Sequence, residues 1–270
     1  MTFPLELLAP PDPAALPLPA PAPPGVRVLR GVPYRVLDGT RPLELDLWLP
    51  ASGGPHPLVV LVHGGAWRTG LRGDLGPRLR AWDPSPHARL VAAGFAVACP
   101  SYRLSGEAPH PAQVDDLTAA LGWLRARAGE LGVDAGRTVL WGESAGGHLA
   151  ALAALRAPVR GCVAWYAPTD LTGAAPGSFE ALLAGADLAA ASPARHAGPD
   201  APPFLVLHGA DDAIVPSWHA TRLAGALDAA GVPVELDVLP GADHLWVGLP
   251  DAAVEDVFAR SLAFARDRTR

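Results

Sequence analysis

From Val26 onward, hydrophobic positions fall into two rhythms. The stretch "LELDLWL" (43–49) alternates with period two, the pattern of a half-buried antiparallel strand. The stretch "PLVVLV" (57–62) is an unbroken apolar run, as expected of a parallel strand covered on both faces. Similar short runs predict strands at "FAVAC" (95–99), "TVLW" (138–141), "GCVAW" (161–165), "FLVLHG" (204–209) and "VELDVL" (234–239). Helical patterns occupy 112–129, 145–156, 217–230 and 251–267. Strands alternating with helices imply right-handed crossovers. The expected class is therefore α/β, with a mostly parallel central sheet and helices on both faces.

Two regions break these rhythms. Residues 1–24 include "LAPPDPAALPLPAPAPP". Proline removes backbone donors and favours extended chain, so this segment reads as a tail preceding one domain over 25–270. The stretch 171–200 is rich in Ala, Gly and Pro and has little period. It reads as a short cover crossing the carboxyl edge of the sheet, where open α/β sheets place their ligands.

Composition narrows the partners. Half of the 270 residues are hydrophobic, enough for a sizeable core, and a net charge of −6 supplies no basic face for nucleic acid. Cys99 and Cys162 each sit inside an apolar run, which predicts buried free thiols rather than a disulfide framework. No apolar stretch is long enough to span a bilayer, and the N-terminus lacks the basic start and unbroken apolar run of a signal peptide. The expected location is cytoplasmic. Neither H-E-x-x-H nor a carboxylate cluster occurs, so no metal or other cofactor is expected.

The chemistry concentrates at "LWGESAGGHLA" (140–150), where Gly142-Glu143-Ser144-Ala145-Gly146 matches G-x-S-x-G. The match lies between a strand-like run and a small-residue helix, the context in which a nucleophilic serine sits on a sharp turn. Downstream, "HGADDAIVP" (208–216) follows one predicted strand and "PGADH" (240–244) follows another. Both loops therefore reach the same sheet edge as Ser144. The order Ser, Asp, His is that of α/β-hydrolases, with His244 as the base. Upstream, "HGGAW" (63–67) follows "LVVLV", where loop amides can face a developing oxyanion.

On "HGGAW", "SYRLSGEAPHPAQVDDLTAALGWLR", "LGVDAGRTVLWGESAGGHLA", "SPARH", "PPFLVLHGADDAIVP" and "GADH", the chain resembles the esterase and lipase branch of the α/β-hydrolases. Within it, the sequence is similar to small acetyl-xylan and feruloyl esterases with HGGxW and to kynurenine formamidases. The segment "GPRLRAWDPSPH" (76–87) lies outside that resemblance. The resemblance implies Asp212, not its neighbour Asp211, as the acid. It also implies the amides of Gly65, Ala66 and Ala145 as oxyanion donors, with Gly64 as the runner-up.

The expected activity is that of a serine carboxylesterase on small short-chain or aryl esters. An arylformamidase acting on N-formylkynurenine fits "HGGAW" equally. A catalytically inactive binding protein is the alternative of another class, and an oligopeptidase-like peptidase ranks lower for want of a large N-terminal propeller. Trp67, Trp218 and Trp246 flank the catalytic loops and are expected to line the pocket. Trp123, Trp141 and Trp165 are expected in the core. His63 and His208 read as structural hydrogen-bonding residues, His148 as a packed helix residue and Asp243 as solvated.

Overall fold

The computed structural model describes residues 16–185 and 187–270. The first fifteen residues of the expected tail lie outside that range. Residues 16–24 form no helix or strand. They meet the domain through Leu16, which packs against the core, and through a bridge in which the Ala20 N–H donates to the Val28 carbonyl at 2.8 Å.

The elements run β1 (Val26–Arg35), β2 (Leu43–Pro50), β3 (His56–Val62), α1 (Pro77–Arg80), α2 (Pro86–Ala92), β4 (Ala96–Pro100), α3 (Ala112–Ala126) and α4 (Ala128–Leu131). They continue as β5 (Val133–Glu143), α5 (Ala145–Ala154), β6 (Gly161–Trp165), α6 (Phe179–Ala184), β7 (Phe204–Gly209), α7 (Trp218–Ala229), β8 (Val234–Leu239) and α8 (Asp251–Arg268). The sheet order is β1-β2-β4-β3-β5-β6-β7-β8. The pairs β1/β2 and β2/β4 are antiparallel, and every other neighbouring pair is parallel.

Strand sequences follow from this layering. In β3, Leu58, Val60 and Val62 enter one core with α3, α5 and α7, while Val59 and Leu61 enter the other with α2 and α8. A strand covered on both faces has no wetted position, hence its unbroken apolar run. In α8, the buried positions Val254, Val257, Phe258, Ser261, Phe264 and Ala265 repeat at three and four residues, one face of a helix. All ten residues of α5 are buried; its Ala and Gly content lets it lie against the centre of the sheet.

Strand β2 keeps the expected alternation and is antiparallel to both neighbours: Leu43, Leu45, Leu47 and Leu49 are buried, and on the other face Glu44, Trp48 and Pro50 stay partly exposed while Asp46 does not. Asp46 is buried, accepting from the Gly31 amide at 2.9 Å and pairing with Arg30 at 2.8 Å and Arg72 at 3.1 Å. Two expectations are corrected. The helix expected over 112–129 is broken at Arg127 into α3 and α4. Within 171–200, Ser178 caps α6 by accepting from the Ala181 amide at 3.2 Å, so this stretch carries a short helix that its weak period did not predict. Among the described residues, no helix is long and apolar enough to cross a membrane.

Candidate active site

Ser144 stands between β5 and α5 at φ 52°, ψ −123°, in a region that L side chains avoid. Its neighbours explain the glycines. A Cβ at Gly142 would overlap the Gly146 carbonyl, and one at Gly146 would overlap the Val62 and His63 carbonyls at the end of β3. The turn is pinned on both sides: Ser144 N–H donates to the Trp165 carbonyl at 2.9 Å, and His148 N–H donates to the Ser144 carbonyl at 3.0 Å.

The structure brings Ser144, His244 and Asp212 together. His244 Nε2 lies 3.0 Å from Ser144 Oγ, and His244 Nδ1 lies 2.7 Å from Asp212 Oδ2. Asp212 Oδ1 accepts from the amides of Ile214 at 2.9 Å and Val215 at 2.8 Å. His208 Nε2 donates to the Val215 carbonyl at 2.7 Å and approaches Asp212 Oδ2 at 3.4 Å. Burial alone would raise the Asp212 carboxyl pKa. The hydrogen bonds from His208, His244 and the Val215 amide outweigh it and hold the group well below the usual carboxylate range. Asp212 is therefore a firm anion beside the imidazole, whereas Asp211 is exposed. This arrangement can take a proton from Ser144 and stabilise the imidazolium that results.

The 63–70 loop turns sharply beside this trio. The Gly65 carbonyl accepts from Arg68 N–H at 3.0 Å and Thr69 N–H at 3.1 Å. Gly65, Ala66 and Trp67 have φ of 108°, 52° and 57°. Gly64 N–H is already committed to Glu143 Oε1 at 2.7 Å, which removes it as a runner-up oxyanion donor. Ala145 supplies the first amide of α5, which has no intrahelical acceptor. His63 packs against the loop it starts, stacking on Tyr102 at 4.4 Å and bonding the Gly64 carbonyl at 2.8 Å.

Three residues acquire parts that sequence reasoning missed. Asp243 is not idle in solvent. Its Oδ1 accepts from the Ala213 amide at 2.9 Å and the His244 amide at 2.6 Å, stapling the Asp212 loop to the His244 loop. Tyr166, at φ 35°, sets its ring edgewise on His244 at 4.7 Å. Glu143, the variable residue of G-x-S-x-G, is buried beneath the 63–70 loop. Burial raises its carboxyl pKa to about 7 against the opposing hydrogen bond from Gly64. Its Oε2 and the Tyr166 hydroxyl are both buried, and the two side chains interact with each other. The position of Glu143 inside the motif was the available signal.

The expected tryptophan walls need correction. Trp246 is fully buried, edgewise on Trp165 at 5.6 Å and Tyr166 at 4.7 Å. Trp67 is 2% exposed, with its indole turned onto His148. Neither presents a face to a substrate, because both loops fold these rings inward. Trp218 keeps 45% of its surface and stacks on His219 at 3.7 Å.

The BD-FAE family model matches residues 45–227, more than half of the chain; His244 lies beyond the matched span. Esterase LipQ of Mycobacterium tuberculosis is 31% identical over 255 residues, 80% of this chain and 56% of that protein. Carboxylesterase NlhH of the same organism is 40% identical over 107 residues, 40% of this chain and 31% of that protein. The chain thus spans about half the length of the first curated relatives. Esterase 2 of Thermogutta terrifontis, solved with propionate bound, superposes with a TM-score of 0.71 at 25% identity, covering 90% of this chain and 94% of that one. A truncated carbohydrate esterase from gut microbiota superposes at 0.76 and 24% identity, covering 90% and 96%, a likeness of fold alone. With this sheet and this match, the chain belongs to the BD-FAE family and has the α/β-hydrolase fold.

Proposed function

We propose that the chain is a serine carboxylesterase acting on small esters with short acyl or aryl groups. The observation that carries the reading is the unbroken hydrogen-bonded line from Ser144 Oγ through His244 to Asp212. His244 Nε2 accepts the Ser144 proton as Oγ bonds to the ester carbonyl carbon. Asp212 holds the Nδ1–H tautomer and stabilises the imidazolium. The amides of Gly65, Ala66 and Ala145 bind the tetrahedral oxyanion; losing one such donor typically costs about 3 kcal/mol of barrier. His244 then protonates the departing alkoxide, and water repeats the sequence on the acyl-enzyme to release the acid. No cofactor enters these steps.

In this reading, residues 25–270 form the catalytic domain, 1–24 a tail and 171–200 a cover that narrows the acyl side. Trp218 is the remaining aromatic candidate at the rim. The location is cytoplasmic. Relatives named esterases support ester hydrolysis, and propionate in the Thermogutta terrifontis enzyme supports a short acyl group. A p-nitrophenyl ester series run beside N-formylkynurenine tests it. The expected kcat/KM is highest for acetyl to butyryl esters. A maximum at ten carbons or more overturns the cover, and faster turnover of N-formylkynurenine than of every ester makes the protein a formamidase.

A further inference from the structure

The loop assigned to the oxyanion contains two consecutive L residues, Ala66 and Trp67, in left-handed conformation. There the Cβ crowds the following carbonyl, so the turn needs an external hold. Ala66 has only a methyl group to offer. Trp67 is anchored: its indole Nε1–H donates to His148 Nδ1 at 3.2 Å, and the two rings meet edge to face at 5.0 Å and 81°.

His148 lies on α5 one helical turn beyond Ser144, and its ring is fully buried. Its other nitrogen, Nε2, is 2.6 Å from the Ala191 carbonyl, within the 171–200 segment. An indole can only donate and a carbonyl can only accept, so Nδ1 is bare and Nε2 carries the proton. Burial lowers the pKa of this ring to about 3, which keeps it neutral at working pH. A charged ring would carry hydrogen on both nitrogens and could not accept from the indole.

We propose that His148 is a positioning residue for the oxyanion hole. It clamps the Ala66–Trp67 turn to the helix that follows the nucleophile and ties the 171–200 segment to the same turn. His148 does not touch the substrate; it acts through Trp67. The inference rests on the esterase reading, which has its own tests in ester hydrolysis and Ser144 reactivity.

The experiment compares Trp67→Phe, His148→Gln, His148→Asn and the double variant Trp67→Phe/His148→Gln. Phenylalanine keeps a ring and drops the donor. Glutamine reaches towards Ala191 but offers the indole poorly placed acceptors. Asparagine keeps an oxygen near the position of Nδ1. Rates are taken per active site, titrated to completion with a fluorophosphonate, so that any misfolded fraction drops out. Trp67→Phe and His148→Gln are each expected to lower kcat about 10- to 100-fold, the range for a slightly displaced catalytic group, with KM little changed. Inhibition by a trifluoromethyl ketone, which binds as an oxyanion, should weaken by the same factor. His148→Asn should stay within about threefold of wild type, and the double variant should be no slower than its slower parent. Unchanged kcat per site, losses confined to KM, or additive losses in the double variant would overturn the proposal. If His148→Gln does not fold, Trp67→Phe with the ketone carries the test alone. A wild-type protein that neither hydrolyses esters nor reacts with the fluorophosphonate would instead sink the esterase reading.

Discussion

Replacing Glu143 by glutamine keeps an acceptor for the Gly64 amide and removes a buried ionisable group. Glu143 is 5% exposed, and burial is the largest influence raising its carboxyl pKa from 4.5 to about 7. The unfolded chain releases this proton near pH 4.5, whereas the folded protein keeps it until about pH 7. Between those values the folded state binds more protons, so the contribution of Glu143 becomes less favourable as pH rises and levels off above 7. At about 1.4 kcal/mol per pH unit, the gap amounts to about 3 kcal/mol. Glutamine does not titrate. The unfolding free energy of Glu143→Gln minus that of wild type should therefore be flat below about pH 4.5 and rise by about 3 kcal/mol by pH 8. Urea unfolding of both proteins at pH 5, 6, 7 and 8 measures this difference. Buried histidines act in the opposite sense: burial lowers His63 and His87 to about 4, which removes stability as pH falls. Both proteins carry them, so they cancel in the difference. A flat difference from pH 5 to 8 would refute the assignment of a buried, protonated Glu143.

Ser144→Ala should melt with the wild-type protein yet lose hydrolysis to within ~10³- to 10⁴-fold of the uncatalysed rate, measured with p-nitrophenyl acetate; a tenth of the wild-type kcat would contradict the role. Asp212→Asn should lower kcat by up to ~10⁴ through the wrong imidazole tautomer, while the exposed Asp211 tolerates Asn with a few-fold change; steady-state kinetics of both variants reads the ranking. Asp116 is fully buried, pairing with Arg35 at 2.7 Å and Arg103 at 2.8 Å and accepting from the Arg103 amide at 2.9 Å. Asp116→Ala leaves two arginines facing an empty site and should cost about 3–5 kcal/mol in denaturant unfolding.

What the sequence disclosed depended on how local each constraint was. The strands β3, β6 and β7 were legible because both faces are covered, so nearly every position is apolar. The turn at Ser144 was legible because backbone carbonyls exclude a Cβ at Gly142 and Gly146. Strand β1 was not: Gly31 and Pro33 interrupt its alternation, and register shifts between Leu29 and Val32 and between Pro33 and Arg35 absorb them. The parts played by Glu143 and His148 depend on partners 79 and 81 residues away, and no local period carries that information. Trp67 and Trp246 were misread for a related reason. Closeness to a catalytic loop in sequence does not say which side of the loop a ring occupies, and left-handed backbone at both, φ 57° and 62°, accompanies rings packed inward.

The central claim is that Ser144 is an activated nucleophile, and covalent labelling tests it most directly. The protein is incubated with a slight excess of a fluorophosphonate, then digested and mapped by mass spectrometry. One adduct per chain on Ser144 is predicted, with its formation sharply slowed in Asp212→Asn. An adduct on another residue, or none from a protein that still hydrolyses esters, would contradict the account.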